Sequence, residues 1–417
     1  MVELLVSKNV LSEILYENKT FKRALNDQCF SKKEYVSYKK VVSGLVGCEL
    51  RHHFLFKKVL DKTHLEFNLD ERTYLYLALA NNHYLKALNI KEVNKYLEEL
   101  FNEKYSQIEK ILTPEYSLFD YVDVDKKSFD YLSIRYNLPK WLLKAWSKEI
   151  GLSKTYRVIR ELAKPANPTY RLNPYNEHAK DLLDKHKNIF GKKVCYEVVE
   201  IPRKLLKENH DLKGDHLFEI DYHLKQLVDE VQSELLEEVC IYSDEDDSLV
   251  LEELARSKHK LGVNVVCPSY EERTKLVRSI RNQKAKNINV FKADDVVSMK
   301  TGISRRTELF YCFPKSSSYT LINKYPDYIV RFRNTSIDEF VNNQKKALDN
   351  CAEFICDGGE LIYLVNTLNY RETKGIIDGF LQSHPSFKLI KDNQIIPDKT
   401  SSTFLYYAVL RLEMKNE

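Results

Sequence analysis

The sequence predicts a multidomain protein in three parts: an all-helical domain over residues 1–112, a small α/β linking domain over 113–215, and a larger doubly wound α/β domain over 216–417. Three observations predict this. The first part places apolar residues at helical spacings with short joints, the pattern of a helix bundle. Pro114 breaks that pattern, and small helices and strands then mix on either side of the hinge Pro165-Ala166-Asn167-Pro168. From about residue 216, short apolar runs alternate with amphipathic stretches, the rhythm of βαβ units and a largely parallel sheet. A chain of 417 residues suits roughly two to four domains.

Element by element, Val2–Ile14 reads as a short amphipathic helix. Ser31–Lys57 carries Tyr38, Val42, Leu45, Val46, Leu50 and Phe54 at spacings of three and four. Asp70-Glu71-Arg72 opens a helix through Leu75 and Leu79, and Asn89 to Phe101 adds another through Val93 and Leu97. In the middle part, Pro139 suits a first helical turn, because its missing N–H would be unpaired there anyway. Gly151 closes that helix, and a second follows over 152–163. Tyr170–Asn173 and Cys195–Ile201 read as strands around a helix at Glu177–His186. The last part predicts strands at Val239–Tyr242, Val263–Cys267, Ile288–Phe291, Leu309–Phe313, Glu360–Val365 and Phe404–Leu412. Helices are predicted between them, including Glu271–Gln283 and Ser336–Ala352.

Composition excludes several classes. Only 11 residues are glycine, against a usual share near 7%, which leaves little room for phosphate-cradling loops or glycine-rich repeats. Lys+Arg exceeds Asp+Glu by 65 to 61, so charge alone neither demands nor forbids a nucleic-acid partner. The eight cysteines are scattered, with no Cys-x-x-Cys pair, and read as thiols of a reducing cytoplasm rather than a disulfide framework or zinc site. Glu3 and Lys8 interrupt the N-terminal apolar run, so no signal peptide is expected, and no stretch is long enough to span a membrane. The expectation is a cytoplasmic monomer. The acidic run Asp244–Asp247 reads as a solvated loop, not a metal site.

Several motifs, in order, resemble one family. Leu45-Val46-Gly47-Cys48-Glu49-Leu50-Arg51 is similar to a Leu-Val-x-Gly-x-x-Arg element with its glycine slipped. Tyr131 to Leu142, through Leu138-Pro139-Lys140-Trp141-Leu142, is similar to a Tyr-Ser-x-Pro-x-Trp-Leu segment. Pro168-Thr169-Tyr170-Arg171-Leu172-Asn173 is similar to the Pro-x-x-x-Arg-x-Asn element that follows, one residue shorter. Tyr325-Pro326-Asp327, the helix bearing Phe340, Gln344, Leu348 and Ala352, and the run Gly358 to Tyr363 match three more anchors. The chain thus resembles the bacterial Sun/Fmu family, small-subunit rRNA cytosine-C5 methyltransferases related to RsmB and the NSUN proteins. The resemblance implies a NusB-like helical RNA-binding domain, a small α/β linking domain and a Rossmann-like domain for S-adenosylmethionine (SAM).

The same resemblance shows where the chemistry is missing. Methylating C5 of cytosine needs a nucleophile at C6, and the family uses the thiolate of a Thr-Cys-Ser triplet. That triplet matches Val365-Asn366-Thr367, and the amide of Asn366 cannot form the covalent adduct. The second thiol, which assists product release, matches Lys315 in Pro314-Lys315-Ser316. Cys312 is the one weak candidate for a substitute nucleophile. The glycine loop for SAM matches an acidic stretch with Ser243, Asp244 and Asp246, and no glycine occurs between Gly214 and Gly262. Pro268 stands where an acid would hold the ribose, while Asp294 keeps an acid near the adenine position. No cofactor is therefore expected, and SAM only if the reaction survives.

By the same resemblance, Arg135, Lys140 and Lys144 would lie near the RNA path; Arg171 is a further candidate, and Arg51 of the helical domain reads equally as a surface residue or an RNA contact. Arg305, Arg306, Arg331 and Arg333 are further candidates for phosphate contact. Trp141 and Trp146 read more readily as core than as base-stacking residues. Three functions stay open: a relative that binds rRNA or a ribosomal precursor without methyl transfer, an active SAM-dependent enzyme with a rearranged site, and a protein-binding scaffold that touches no RNA.

Overall fold

The computed structural model describes residues 1–164, 168–185, 198–209, 216–231, 236–245, 247–257, 262–303, 306–332, 336–398, 401 and 403–413. Two compact units emerge: Met1–Thr155 with Lys324–Arg333, and Tyr156–Asn323 with Asn334–Glu417.

The first unit is helical: α1 (Val2–Tyr16), α2 (Phe21–Cys29), α3 (Lys39–Lys62), α4 (Leu69–Ala80), α5 (Ile90–Phe101), α6 (Tyr105–Leu112), α7 (Leu118–Val122), α8 (Phe129–Tyr136) and α9 (Lys140–Ile150). Its starts and stops follow local chemistry. Asn68 and Glu71 form a reciprocal capping box on α4, satisfying two backbone N–H groups that lack helical partners. Pro139 precedes α9, and Gly151 ends it at φ +80°, a conformation that suits a residue without Cβ. Leu45, Leu50, Leu55 and Phe56 of α3 are wholly buried in a core shared with Leu11 and Leu75. Substituting such a residue by alanine costs about 2–5 kcal/mol.

The second unit holds the remaining helices: α10 (Leu152–Leu162) begins just before it, and α11 (Ala179–Lys185), α12 (Arg203–Glu208), α13 (Tyr222–Val231), α14 (Ser248–Ser257), α15 (Tyr270–Gln283), α16 (Val296–Met299), α17 (Leu321–Lys324), α19 (Ser336–Ala352) and α20 (Lys374–Ser383) follow, with α18 (Tyr328–Arg331) belonging to the first unit. A small antiparallel sheet has the order β2-β1-β3, from β1 (Thr169–Leu172), β2 (Val198–Glu200) and β3 (Leu217–Glu219). The main sheet has seven strands: β4 (Glu238–Ser243), β5 (Gly262–Cys267), β6 (Ile288–Lys292), β7 (Thr307–Phe313), β8 (Ile355–Val365), β9 (Phe387–Ile395) and β10 (Leu405–Leu412). Their order is β6-β5-β4-β7-β8-β10-β9. The first five run parallel to one another, and β10 is antiparallel to both β8 and β9. Burial on both faces explains the unbroken apolar runs of β4, β5, β7 and β8.

The predicted strands are present among the described residues, residues 195–197 of the Cys195–Ile201 strand lying outside them, and β3 and β9 are additions. The exposed Lys388, Leu389, Ile390 and Lys391 of β9 break the two-residue alternation that marks a half-buried strand. β8 starts five residues earlier than predicted, because Gly358 at φ +80° lets the strand run through the glycine pair.

One segment crosses the sequence order. The stretch containing α18 lies between β7 and α19, yet it builds the first unit. Asp327 accepts a hydrogen bond from Phe21 N at 3.1 Å, capping the start of α2. Arg331 Nε donates to the same carboxylate at 2.8 Å, and Val330 packs on the helical core.

Candidate active site

In an open α/β sheet, ligands bind at the carboxyl ends of the strands where the order reverses. Here that point lies between β4 and its neighbours β5 and β7. Ser243, the last residue of β4, pairs with Phe313, the last residue of β7. Beyond them the two loops are sewn together. Asp244 N donates to Phe313 O at 3.0 Å. The carboxylate of Glu245 accepts from Ser316 N at 2.9 Å, and from the hydroxyls of Ser316 (3.4 Å) and Ser318. Ser318 sits at φ +39°, a strained backbone for a residue with a side chain, and its N–H donates to Ser316 Oγ at 3.1 Å.

A second layer ties β7 to β8. Ser317 Oγ and Thr367 Oγ1 are 2.6 Å apart. Ser317 N donates to Glu372 Oε1 at 2.8 Å, and Gln344 Nε2 donates both to that oxygen at 3.1 Å and to Lys315 O at 3.0 Å. Ser316, Ser317, Ser318, Thr367 and Glu372 are all buried. Burial pushes the Glu372 carboxyl up, against the pull of the hydrogen bonds from Ser317 and Gln344. Burial likewise pushes Asp244 up to about 6, partly offset by the Lys315 ammonium and backbone N–H.

The structure sets Lys315 and Asn366 just past the ends of the adjacent strands β7 and β8, shortly before Ser317 and Thr367, whose hydroxyls meet. Lys315 is exposed and Asn366 half-buried. Cys312, the candidate substitute nucleophile, has its sulfur turned away from the strand ends. It is fully buried on the β7 face opposite that of Tyr311 and Phe313, and its sulfur meets Cys351 of α19 rather than the strand ends. Other thiols are poor nucleophiles: burial pushes Cys240 and Cys267 up to about 12 and Cys48 to about 11. No disulfide joins the described cysteines.

The residues around the SAM position have other partners. Ser243 is buried in the strand end, Pro268 follows β5, and exposed Asp294 pairs with Lys292 at 3.1 Å. Asp246 lies outside the described residues. An amino acid carboxylate at this edge would meet Asp244 and Glu245 instead of a cradle of backbone N–H groups, so the side chains present do not fit SAM.

Among the basic candidates, Arg171 is corrected. It is buried and ion-paired with the buried Glu252 of α14, while Asn173 Nδ2 donates to Gln283 O at 2.9 Å. These residues fasten the small sheet to α14 and α15, and the Arg171 guanidinium is turned to Glu252 rather than to the surface. Arg331 is corrected too: the segment is helical, and its guanidinium is held by Asp327 and Asn18 O. Arg51 donates to Gly47 O at 2.8 Å from an exposed position, and Lys140 pairs with Asp130. Arg135, Lys144 and Arg306 are exposed. Arg305 and Arg333 lie outside the described residues. Sequence reasoning misses Glu245 and the serine run 316–318, although three successive serines directly after Pro314-Lys315 are a visible signal.

The strand order and the antiparallel β10 define a Rossmann-like fold of the methyltransferase type. Residues 269–408 match the family model "16S rRNA methyltransferase RsmB/F". Among curated proteins, the probable ribosomal RNA small subunit methyltransferase B of Bacillus subtilis (strain 168) is 22% identical over 270 residues, 60% of this chain. The match spans 57% of that relative's length. Among solved structures, PH0851 is similar over 98% of both chains at 15% identity, with a TM-score of 0.71. NSun6 from Pyrococcus horikoshii with SFG is similar over 67% of this chain and all of its own, at 11% identity and TM-score 0.56. No helix among the described residues is long and apolar enough to cross a membrane.

Proposed function

We propose that this chain is an RNA-binding relative of the small-subunit rRNA cytosine-C5 methyltransferases that has lost methyl transfer. The observation that carries the reading is the pair Asn366 and Lys315 at the two thiol positions, beside strand-end loops filled by Glu245, Ser316, Ser317 and Ser318. An amide does not add to a pyrimidine, and neither side chain supplies the thiolate that the reaction uses. The carboxylates of Asp244 and Glu245 further support a chain that takes no SAM. In this reading residues 1–112 and 113–215 engage small-subunit rRNA or its precursor, and 216–417 persists as a scaffold.

Two measurements test it. Calorimetric titration with SAM is expected to give no heat of binding, and micromolar affinity overturns the reading in favour of an active enzyme with a rearranged site. RNA containing 5-fluorocytosine is expected to leave no denaturation-resistant adduct; a covalent complex means that another nucleophile serves. The complete seven-stranded sheet is the observation that keeps the active alternative in view.

A further inference from the structure

Sequence reasoning puts both tryptophans in a core, and Trp146 is there, at 1% exposure. Trp141 instead lies on the surface of the helical unit, 38% exposed. Its ring stacks on Phe332, with centroids 5.7 Å apart and planes 22° from parallel. Tyr328 abuts the same phenylalanine at 6.1 Å. The stack is flanked by cations. On α9, Lys140, Lys144 and Lys148 fall at i, i+4 and i+8, one row along the helix, and all three are exposed. Lys140 shares its charge with exposed Asp130, a surface pair that an arriving phosphate can displace at little cost. The segment bearing Phe332 is fixed by Asp327, so the under-side of the stack is held in place.

An exposed indole backed by a second ring, next to a row of lysines, has the chemistry that single-stranded nucleic acids use: a base continues the stack while its phosphates meet the ammonium groups. A double helix keeps its base faces covered, and a membrane surface offers no flat rings. We infer that Trp141, backed by Phe332 and flanked by Lys140, Lys144 and Lys148, binds an unpaired base of a single-stranded RNA. The inference rests on the RNA-binding reading and adds its contact point.

The chain has two tryptophans, so the difference between the emission of the parent chain and that of Trp141→Phe, with Trp146 common to both, reports on Trp141. The probes are a single-stranded oligoadenylate RNA and inorganic polyphosphate, titrated into the full chain. RNA is expected to quench the emission, and polyphosphate to leave it unchanged. Trp141→Ala is expected to weaken RNA binding roughly 5- to 150-fold, whereas Trp141→Phe keeps most of the affinity. Lys144→Glu is expected to lower the slope of log affinity against log salt by about one. Thermal melts matching the parent chain establish that the variants fold. RNA binding without quenching, equal quenching by polyphosphate, or unchanged affinity in a folded Trp141→Ala chain overturns the inference and leaves RNA binding intact. No binding of structured rRNA fragments or oligoadenylate at low salt removes the RNA-binding reading itself.

Discussion

At the scale of single residues, two buried charges give opposite predictions. Arg171 and Glu252 are paired out of solvent, and removing one partner leaves the other charged and unsolvated. Arg171→Ala is therefore expected to destabilise the fold by about 3–5 kcal/mol, read as a large fall in melting temperature. An unchanged melt with weakened RNA binding would restore Arg171 to the nucleic-acid surface. Asp244 behaves differently. Its carboxyl is raised from 3.8 to about 6, so the folded state holds the proton more tightly than the unfolded chain. The stabilisation is complete below about pH 4 and is lost as pH rises through 6. Asp244→Asn is expected to flatten the stability curve in that window and to raise the melting temperature at neutral pH. Neither role is legible in the sequence. The Pro-x-x-x-Arg-x-Asn spacing marks Arg171 and Asn173 as significant, but only the fold shows that their partners are Glu252 and Gln283, 81 and 110 residues away. The proposed substitution of the two thiols, by contrast, rests on sequence alone, with Pro314 and the run Gly358 to Tyr363 as its anchors.

At the scale of elements, periodicity locates most strands and helices, since burial on both faces leaves an apolar signature that neighbours do not alter. It fails where the signature is weak. β9 is an exposed edge strand with lysines in place of alternation. The 324–332 stretch reads as an ordinary loop within the α/β region, yet it completes the helical unit through Asp327, Arg331, Val330 and Phe332. Nothing local in a sequence announces which distant helix a turn will cap. Asp327→Ala leaves Phe21 N–H without its side-chain acceptor and Arg331 with Asn18 alone, and a loss of about 1–3 kcal/mol is expected. Hydrogen exchange checks this: the Phe21 amide is expected to lose protection while the amides of α4 keep theirs. Uniform loss of protection through the bundle would mean that the cap is not a local device.

At the scale of the whole molecule, affinity for RNA is expected to come chiefly from phosphate contacts, because the net charge of +4 is small and basic residues are spread over many exposed sites. Binding to a small-subunit rRNA fragment is expected to weaken steadily between about 50 and 200 mM salt, which filter retention measures. Salt-independent binding would point to an apolar protein partner and the scaffold reading.

The stitching of Glu245 to the serine turn carries a corollary. In the proposed reading, a chain given sulfur at 315 and 366 would still carry the bonds of Glu245 to Ser316 and of Ser317 to Thr367 beside both positions. Restoring the two thiols alone is therefore expected to leave the chain without methyl transfer, and the loops would have to be replaced with them.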